Sequence, residues 1–319
     1  MGGSSTQSTG SSSGGALARR LAGPAVVLLA LAAAAVAPLT LEAGTAPATP
    51  DVTRLPLGDG HVSTSPKRGY VYACRRGAGR TGGAAHDGPW IHGATFDLSQ
   101  KAVVAGRVRW PGKVRFAVRG GRLVVTGDAL PVSTPTGRFP ISPSDPAYAY
   151  DRNPNAIERQ TVRLSLPLRP KVGASPSCLP MGMIGITVNG VALFNALDDA
   201  NRDALAHETQ DACEGHPQMR GIYHYHSIPP CLTGTTAKAQ ERLVGYALDG
   251  FPIFGPRDAD GTLLTDADLD ACHGHVGWVT LRGRRVRTYH YNATLEYPYT
   301  LGCFRGTPVA SPLAAPGRP

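Results

Sequence analysis

From residue 103 onward, apolar and polar positions alternate. Val108, Trp110, Val114, Phe116 and Val118 interleave with Arg107, Arg109, Lys113, Arg115 and Arg119 around Pro111-Gly112. A period of two puts apolar groups on one face of a strand and cations on the other, so residues 103–126 read as a half-buried sheet. Further on, short apolar runs flank Asn189-Gly190 and Asp249-Gly250. These dipeptides supply the positive φ of a type I′ turn, so two hairpins are expected. Segments 199–210 and 258–269 read as helix or loop, and Asp258-Ala259-Asp260-Gly261 reads as an Asp-Gly turn, since it lacks the rest of a calcium loop. The pattern predicts a mainly β fold, β-sandwich-like or irregular antiparallel β, with little helix.

The first 48 residues follow a different rule. A Ser/Gly-rich leader ends at Arg19-Arg20, and an apolar Ala/Leu/Val run then extends over residues 21–41. A basic pair before an apolar core is the pattern of a secretory signal peptide, and about 20 apolar residues also suffice for an uncleaved anchor. Either reading makes the protein secreted or extracytoplasmic, with membrane contact only through this segment.

The second half repeats itself. Asp211-Ala212-Cys213-Glu214-Gly215-His216 returns as Asp270-Ala271-Cys272-His273-Gly274-His275, and Tyr223-His224-Tyr225-His226 as Tyr289-His290-Tyr291-Asn292. Upstream, Gly185–Gly190 with Phe194 parallels Gly245–Gly250 with Phe254, and downstream Cys231 parallels Cys303. Four colinear matches define an internal duplication, with repeats at about 183–231 and 243–303. The expected organisation is a leader over 1–48, a β-rich first half over 49–182, the duplicated region over 183–306 and a disordered Pro/Ala-rich tail over 307–319.

Six cysteines in an exported chain read as disulfides, and none of their spacings suits a thiolate zinc site. Equivalent positions should bond equivalently. That allows Cys213–Cys231 with Cys272–Cys303, or the crossed pairing of 213 with 303 and 231 with 272. Both leave Cys74–Cys178.

Composition narrows the classes. With 42% hydrophobic and 17% charged residues, 39 Gly and 28 Pro, the chain is neither wholly disordered nor a coiled coil. A net charge of +9 and the cationic strands are compatible with an anionic cell-envelope polymer as partner, but an ordinary solvated sheet face is the preferred reading of these strands. Nucleic acid is not expected, because no binding motif is present.

The histidines concentrate in the repeats. On a strand, residues i and i+2 share a face, so His224 and His226 can point at one ion, with Tyr223 and Tyr225 opposite; His273 and His275 form a second such pair. Packed repeats would gather His224, His226, His290 and one of the Gly-His pairs, Gly215-His216 or Gly274-His275, into one site. With the cysteines oxidised, imidazole, phenol and carboxylate remain as ligands, a set that suits copper or zinc. Two other readings stand beside metal binding: a buried Tyr/His hydrogen-bond network and metal-free acid–base catalysis.

The Tyr223–His226 motif, the Asp-Ala-Cys-x-Gly-His pair, the run Asp249–Gly255 and the ending Gly302-Cys303-Phe304-Arg305-Gly306 resemble the YHYH-domain family. The resemblance implies an exported domain and an important histidine motif at 223–226, with no established activity. A rival resemblance joins Thr134-Pro135-Thr136-Gly137 and Gly302-Cys303-Phe304-Arg305 to the L,D-transpeptidases. It implies a cell-wall acyltransferase with Cys303 as nucleophile, His275 or His290 as base and Arg305 on the substrate carboxylate.

Overall fold

The computed structural model describes residues 50–79, 84, 86–233 and 242–313. The signal or anchor read over residues 1–48 lies outside them. Among the described residues, no helix is long and apolar enough to cross a membrane.

The predicted alternation produces an antiparallel three-stranded sheet, β1 (Val114–Arg119), β2 (Arg122–Gly127) and β3 (Val162–Pro167), in that order. Val162, Leu164 and Leu166 of β3 are buried while Arg163 and Ser165 are exposed, and Leu123 and Val125 of β2 are buried beside them. Arg115 and Arg119 project to solvent. The ladder is shorter than the alternation suggests. Residues 107–113 make only the bridge from Val108 to Thr136, because Pro111 cannot donate to a ladder.

The second half forms one eight-stranded sheet. Its strands are β4 (Met183–Thr187), β5 (Ala192–Phe194), β6 (Gly215–Pro217), β7 (Tyr223–Tyr225), β8 (Leu243–Ala247), β9 (Pro252–Phe254), β10 (Gly274–Leu281) and β11 (Arg284–Asn292). The order across the sheet is β6-β7-β5-β4-β8-β9-β11-β10. Read outward from the central β4–β8 pair, both directions give the same sequence of pairings: an antiparallel hairpin, a parallel neighbour, then an antiparallel outer strand.

Both expected hairpins form, but with a different turn. Gly190 and Gly250 have φ of +89° and +90°, whereas neither Asn189 nor Asp249 is left-handed. In each, the glycine N–H donates to the residue three back (Thr187 or Ala247), and that residue's N–H donates to Val191 or Phe251. The result is a three-residue loop closed by a glycine bulge, which needs only one positive φ. A Cβ on Gly190 would lie 2.9 Å from Cβ of Val114, and one on Gly250 would lie 2.7 Å from the carbonyl oxygen of Pro167. Both tips therefore sit against the three-stranded sheet.

Segment 199–210 is mostly loop around one helical turn, α1 (Ala204–His207), capped by the Asp203 side chain. Segment 258–269 holds a 3₁₀ turn at Asp266–Asp268. Asp258 closes its own loop by accepting from the Asp260 and Thr262 N–H groups. The Pro/Ala-rich tail departs from the expected disorder: Val309 N–H donates to Leu248 O and Leu313 is buried. Residues 314–319 lie outside the described residues.

The disulfides are Cys74–Cys178, Cys213–Cys231 and Cys272–Cys303, the uncrossed arrangement. This overturns the acyltransferase alternative, since the sulfur of Cys303 is already bonded and cannot act as a thiolate nucleophile.

Candidate metal centre

The tyrosines and histidines of the Tyr223–His226 motif divide between the two faces of β7, as strand geometry requires. On one face, Tyr223 Oη donates to Asp211 at 2.8 Å. Tyr225 Oη is 3.1 Å from Asn189 Nδ2, at the tip of the β4–β5 hairpin. Tyr289 and Tyr291 repeat this through Asp270 at 3.0 Å and Asp249 at 2.6 Å. The phenols are therefore committed to structural bonds, and Asp211 and Asp270 also cap the backbone of the turns at Cys213 and Cys272.

On the other face, three imidazoles converge. His216 of β6 pairs in register with His224 of β7, and His226 follows two residues on. One ligating atom from each lies within 4.8 Å of the others, and all three side chains are buried. The His224 Nδ1 is 3.0 Å from Ile222 O, and the His226 Nδ1 is 2.5 Å from Asn195 O. A carbonyl oxygen only accepts, so each Nδ1 carries the proton and each Nε2 bears a bare lone pair in the neutral ring. These two Nε2 atoms face each other at 3.0 Å.

A carboxylate completes the group. Oε2 of Glu208, just past α1, lies 3.3 Å from Nε2 of His216 and 3.2 Å from Nε2 of His226. Neither approach has hydrogen-bond geometry, and Glu208 Oε2 and both ring nitrogens of His216 are buried without a hydrogen-bond partner. Buried polar atoms are almost always satisfied, so an orphaned cluster whose lone pairs converge is suited to a cation. Phe194 stacks on His224 with centroids 3.9 Å apart and closes one side.

Electrostatics fit the same reading. Burial pushes the Glu208 carboxyl up, but the imidazoles of His216 and His226 outweigh it and hold it well below the usual range. Burial lowers His216, but the charge of Glu208 prevails and raises it. Burial and the neighbouring His216 and His226 push His224 well below its ordinary value, so its ring stays neutral and free to ligate. Lys101 is also buried nearby, pushed down to about 8 by burial, and hydrogen-bonds Gln210 Oε1.

The remaining predicted ligands lie elsewhere. His290 of β11 is five strand spacings from β7, roughly 24 Å, so His224, His226 and His290 do not meet. The continuous sheet separates the two motifs instead of folding one onto the other. His290 pairs with His275, their Nε2 atoms 2.9 Å apart. His273 does not share a face with His275. Its φ is +71°, which turns its ring away to Thr294 Oγ1 at 3.1 Å and Asp266 at 3.2 Å, and burial pushes it down to about 3.

Glu208 is the residue the sequence pattern missed. The available signal was an asymmetry: counted back three residues from Asp211 and Asp270, Glu208 stands opposite Ala267, just as His226 stands opposite Asn292.

Fold and site together describe a disulfide-bonded, mainly β protein with a buried cluster of three histidines and a glutamate. Residues 163–266, from within β3 to beyond β9, match the family described as YHYH protein. No curated protein and no solved structure matches the chain.

Proposed function

We infer that this is an exported metal-binding protein that holds one divalent transition-metal ion between His216, His224, His226 and Glu208. The observation that carries the reading is the pair of Nε2 atoms 3.0 Å apart, with both Nδ1 positions held by backbone carbonyls, flanked by a carboxylate oxygen that has two imidazoles beside it and no hydrogen-bond partner. Lone pairs placed head to head repel unless a proton on one ring or a metal cation lies between them. Backbone carbonyls fix both tautomers, the outer-sphere arrangement typical of metal-ligating histidines.

Zinc is the ion we assign, ahead of copper. Ligands about 2.0–2.1 Å from a tetrahedral zinc stand roughly 3.3 Å from one another. Three of the donor separations here are 3.0, 3.2 and 3.3 Å, and one donor atom from each of the three histidines lies within 4.8 Å of the others. Four protein ligands fill the coordination sphere, which supports holding the ion over turning over a substrate. Three disulfides support an oxidising compartment and hence export. The exposed Arg115 and Arg119 suit an anionic envelope polymer as a secondary partner.

Elemental analysis of the untagged full-length chain tests this directly. Near-stoichiometric zinc or copper should co-purify and disappear from a folded His224→Ala/His226→Ala variant. Native protein that takes up neither metal on incubation would rule the reading out.

A further inference from the structure

The far edge of the eight-stranded sheet carries a second histidine pair that the four-ligand centre does not use. His275 of β10 and His290 of β11 are in antiparallel register, the relation His216 bears to His224. Their Nε2 atoms are 2.9 Å apart. The His290 Nδ1 lies 3.2 Å from Thr288 O, two residues back, as the His224 Nδ1 lies near Ile222 O. The proton of His290 therefore sits on Nδ1, and its Nε2 presents a lone pair to the pair's midpoint.

A third donor stands where His226 stands in the other half. Asn292 follows His290 by two residues on the same strand and is fully buried. Its Nδ2 donates to Gly255 O at 3.1 Å, just after Phe254, as the His226 Nδ1 donates to Asn195 O, just after Phe194. With its amide nitrogen tied down in this way, Asn292 has its Oδ1 buried without a partner. The place of Glu208 is taken by Ala267. The set is thus two imidazoles and one amide oxygen, without a counterpart of Glu208 at the equivalent sequence position.

Two further features keep this pair accessible to a cation. Gly277 lies over it: an added Cβ there would sit 3.0 Å from His290 Cε1 and 3.5 Å from His275 Nε2. His275 is only partly buried, so the approach comes from solvent. The carboxylates of Asp258, Asp268 and Asp270 are close enough for their charges to act on His275.

We propose that His275 and His290, with Asn292 Oδ1, form a second and separate cation site, open to solvent, that takes copper(II) with water in its remaining positions. Copper(II) heads the divalent affinity order for nitrogen and oxygen ligands, and a tetragonal ion accommodates two imidazoles plus exchangeable waters. The site does not depend on the four-ligand centre, which lies at the opposite end of the sheet.

The test uses the untagged full-length chain preloaded with one equivalent of zinc and then titrated with copper(II). Calorimetry and electron paramagnetic resonance read the binding. One further equivalent should bind, with a signal split by two imidazole nitrogens. His275→Ala should weaken it at least tenfold. Gly277→Val keeps both ligands, blocks the approach and should weaken it comparably, so a loss of folding in one variant does not leave the result undecided. His224→Ala/His226→Ala should keep the two-nitrogen copper signal. Copper binding of unchanged affinity and spectrum in folded His275→Ala and Gly277→Val would overturn the proposal, as would no copper uptake by the zinc-loaded native chain.

Discussion

At the scale of single residues, the two candidate ligand sets respond to protons in different ways. In the metal-free centre, Glu208 raises the pKa of His216, so below that raised value metal must displace a proton from the ring. Zinc affinity should therefore climb with pH through and above 6.5 and level off once His216 is deprotonated. Glu208→Gln removes the main cause of the raised pKa. It should lower affinity at least tenfold and move the plateau to lower pH, as calorimetry in buffers of different ionisation enthalpy would show. An unchanged plateau would separate Glu208 from the site. His290 has the opposite sign. Burial and the neighbouring His275 push it down to about 4, while the unfolded chain titrates near 6.5. Its stability contribution is complete above pH 6.5 and is lost as pH falls toward 4. By linkage, the metal-free protein loses about 3 kcal/mol across that window from this residue alone. A His290→Asn variant should lack that part of the slope in urea titrations followed against pH.

At the scale of elements, each hairpin is fastened to a motif strand by one phenol. Tyr225 reaches the neutral amide of Asn189, whereas Tyr291 donates to the carboxyl of Asp249 at 2.6 Å. Tyr225→Phe should cost about 0.5–1.5 kcal/mol and Tyr291→Phe about 1.5–3 kcal/mol, because a buried bond to an acidic group is the stronger of the two. Denaturant midpoints compare them, and equal costs would show that the acidic partner adds nothing. The sequence makes much of this level legible. Asn-Gly and Asp-Gly mark both hairpins, and the tyrosine–histidine alternation assigns opposite faces. Two features escape it because they rest on backbone geometry. The turn needs one left-handed residue instead of two, and the positive φ of His273 breaks the i, i+2 rule that would align it with His275. Glu208 escapes for a related reason. It lies in an irregular segment after α1, where no periodicity links it to β6 and β7, and only the folded chain brings it within 3.3 Å of both imidazoles.

For the whole molecule, the sheet order decides how many sites there are. Two halves stacked face to face would have pooled their histidines, but halves side by side in one sheet keep them at opposite ends, and no local pattern distinguishes these two packings. The disulfides then act on different parts of the molecule. Cys213–Cys231 spans a sequence separation of 18, and His216, His224 and His226 all fall inside the loop it closes. Cys74–Cys178 spans 104 residues and encloses none of the four proposed ligands. In chain-entropy terms, a bridge closing about 15 residues contributes roughly 3 kcal/mol and one closing about 100 residues roughly 4.7 kcal/mol. Cys74→Ala/Cys178→Ala should therefore lower the denaturant midpoint more, yet leave zinc affinity unchanged in the protein that remains folded. Cys213→Ala/Cys231→Ala should cost less stability but weaken zinc at least tenfold, because β6 and β7 lose the tie that holds their imidazoles in register. Mild reduction of the native protein should then release zinc before it unfolds the chain. Zinc retained until global unfolding would mean that the sheet alone, without its bridge, holds the ligands in place.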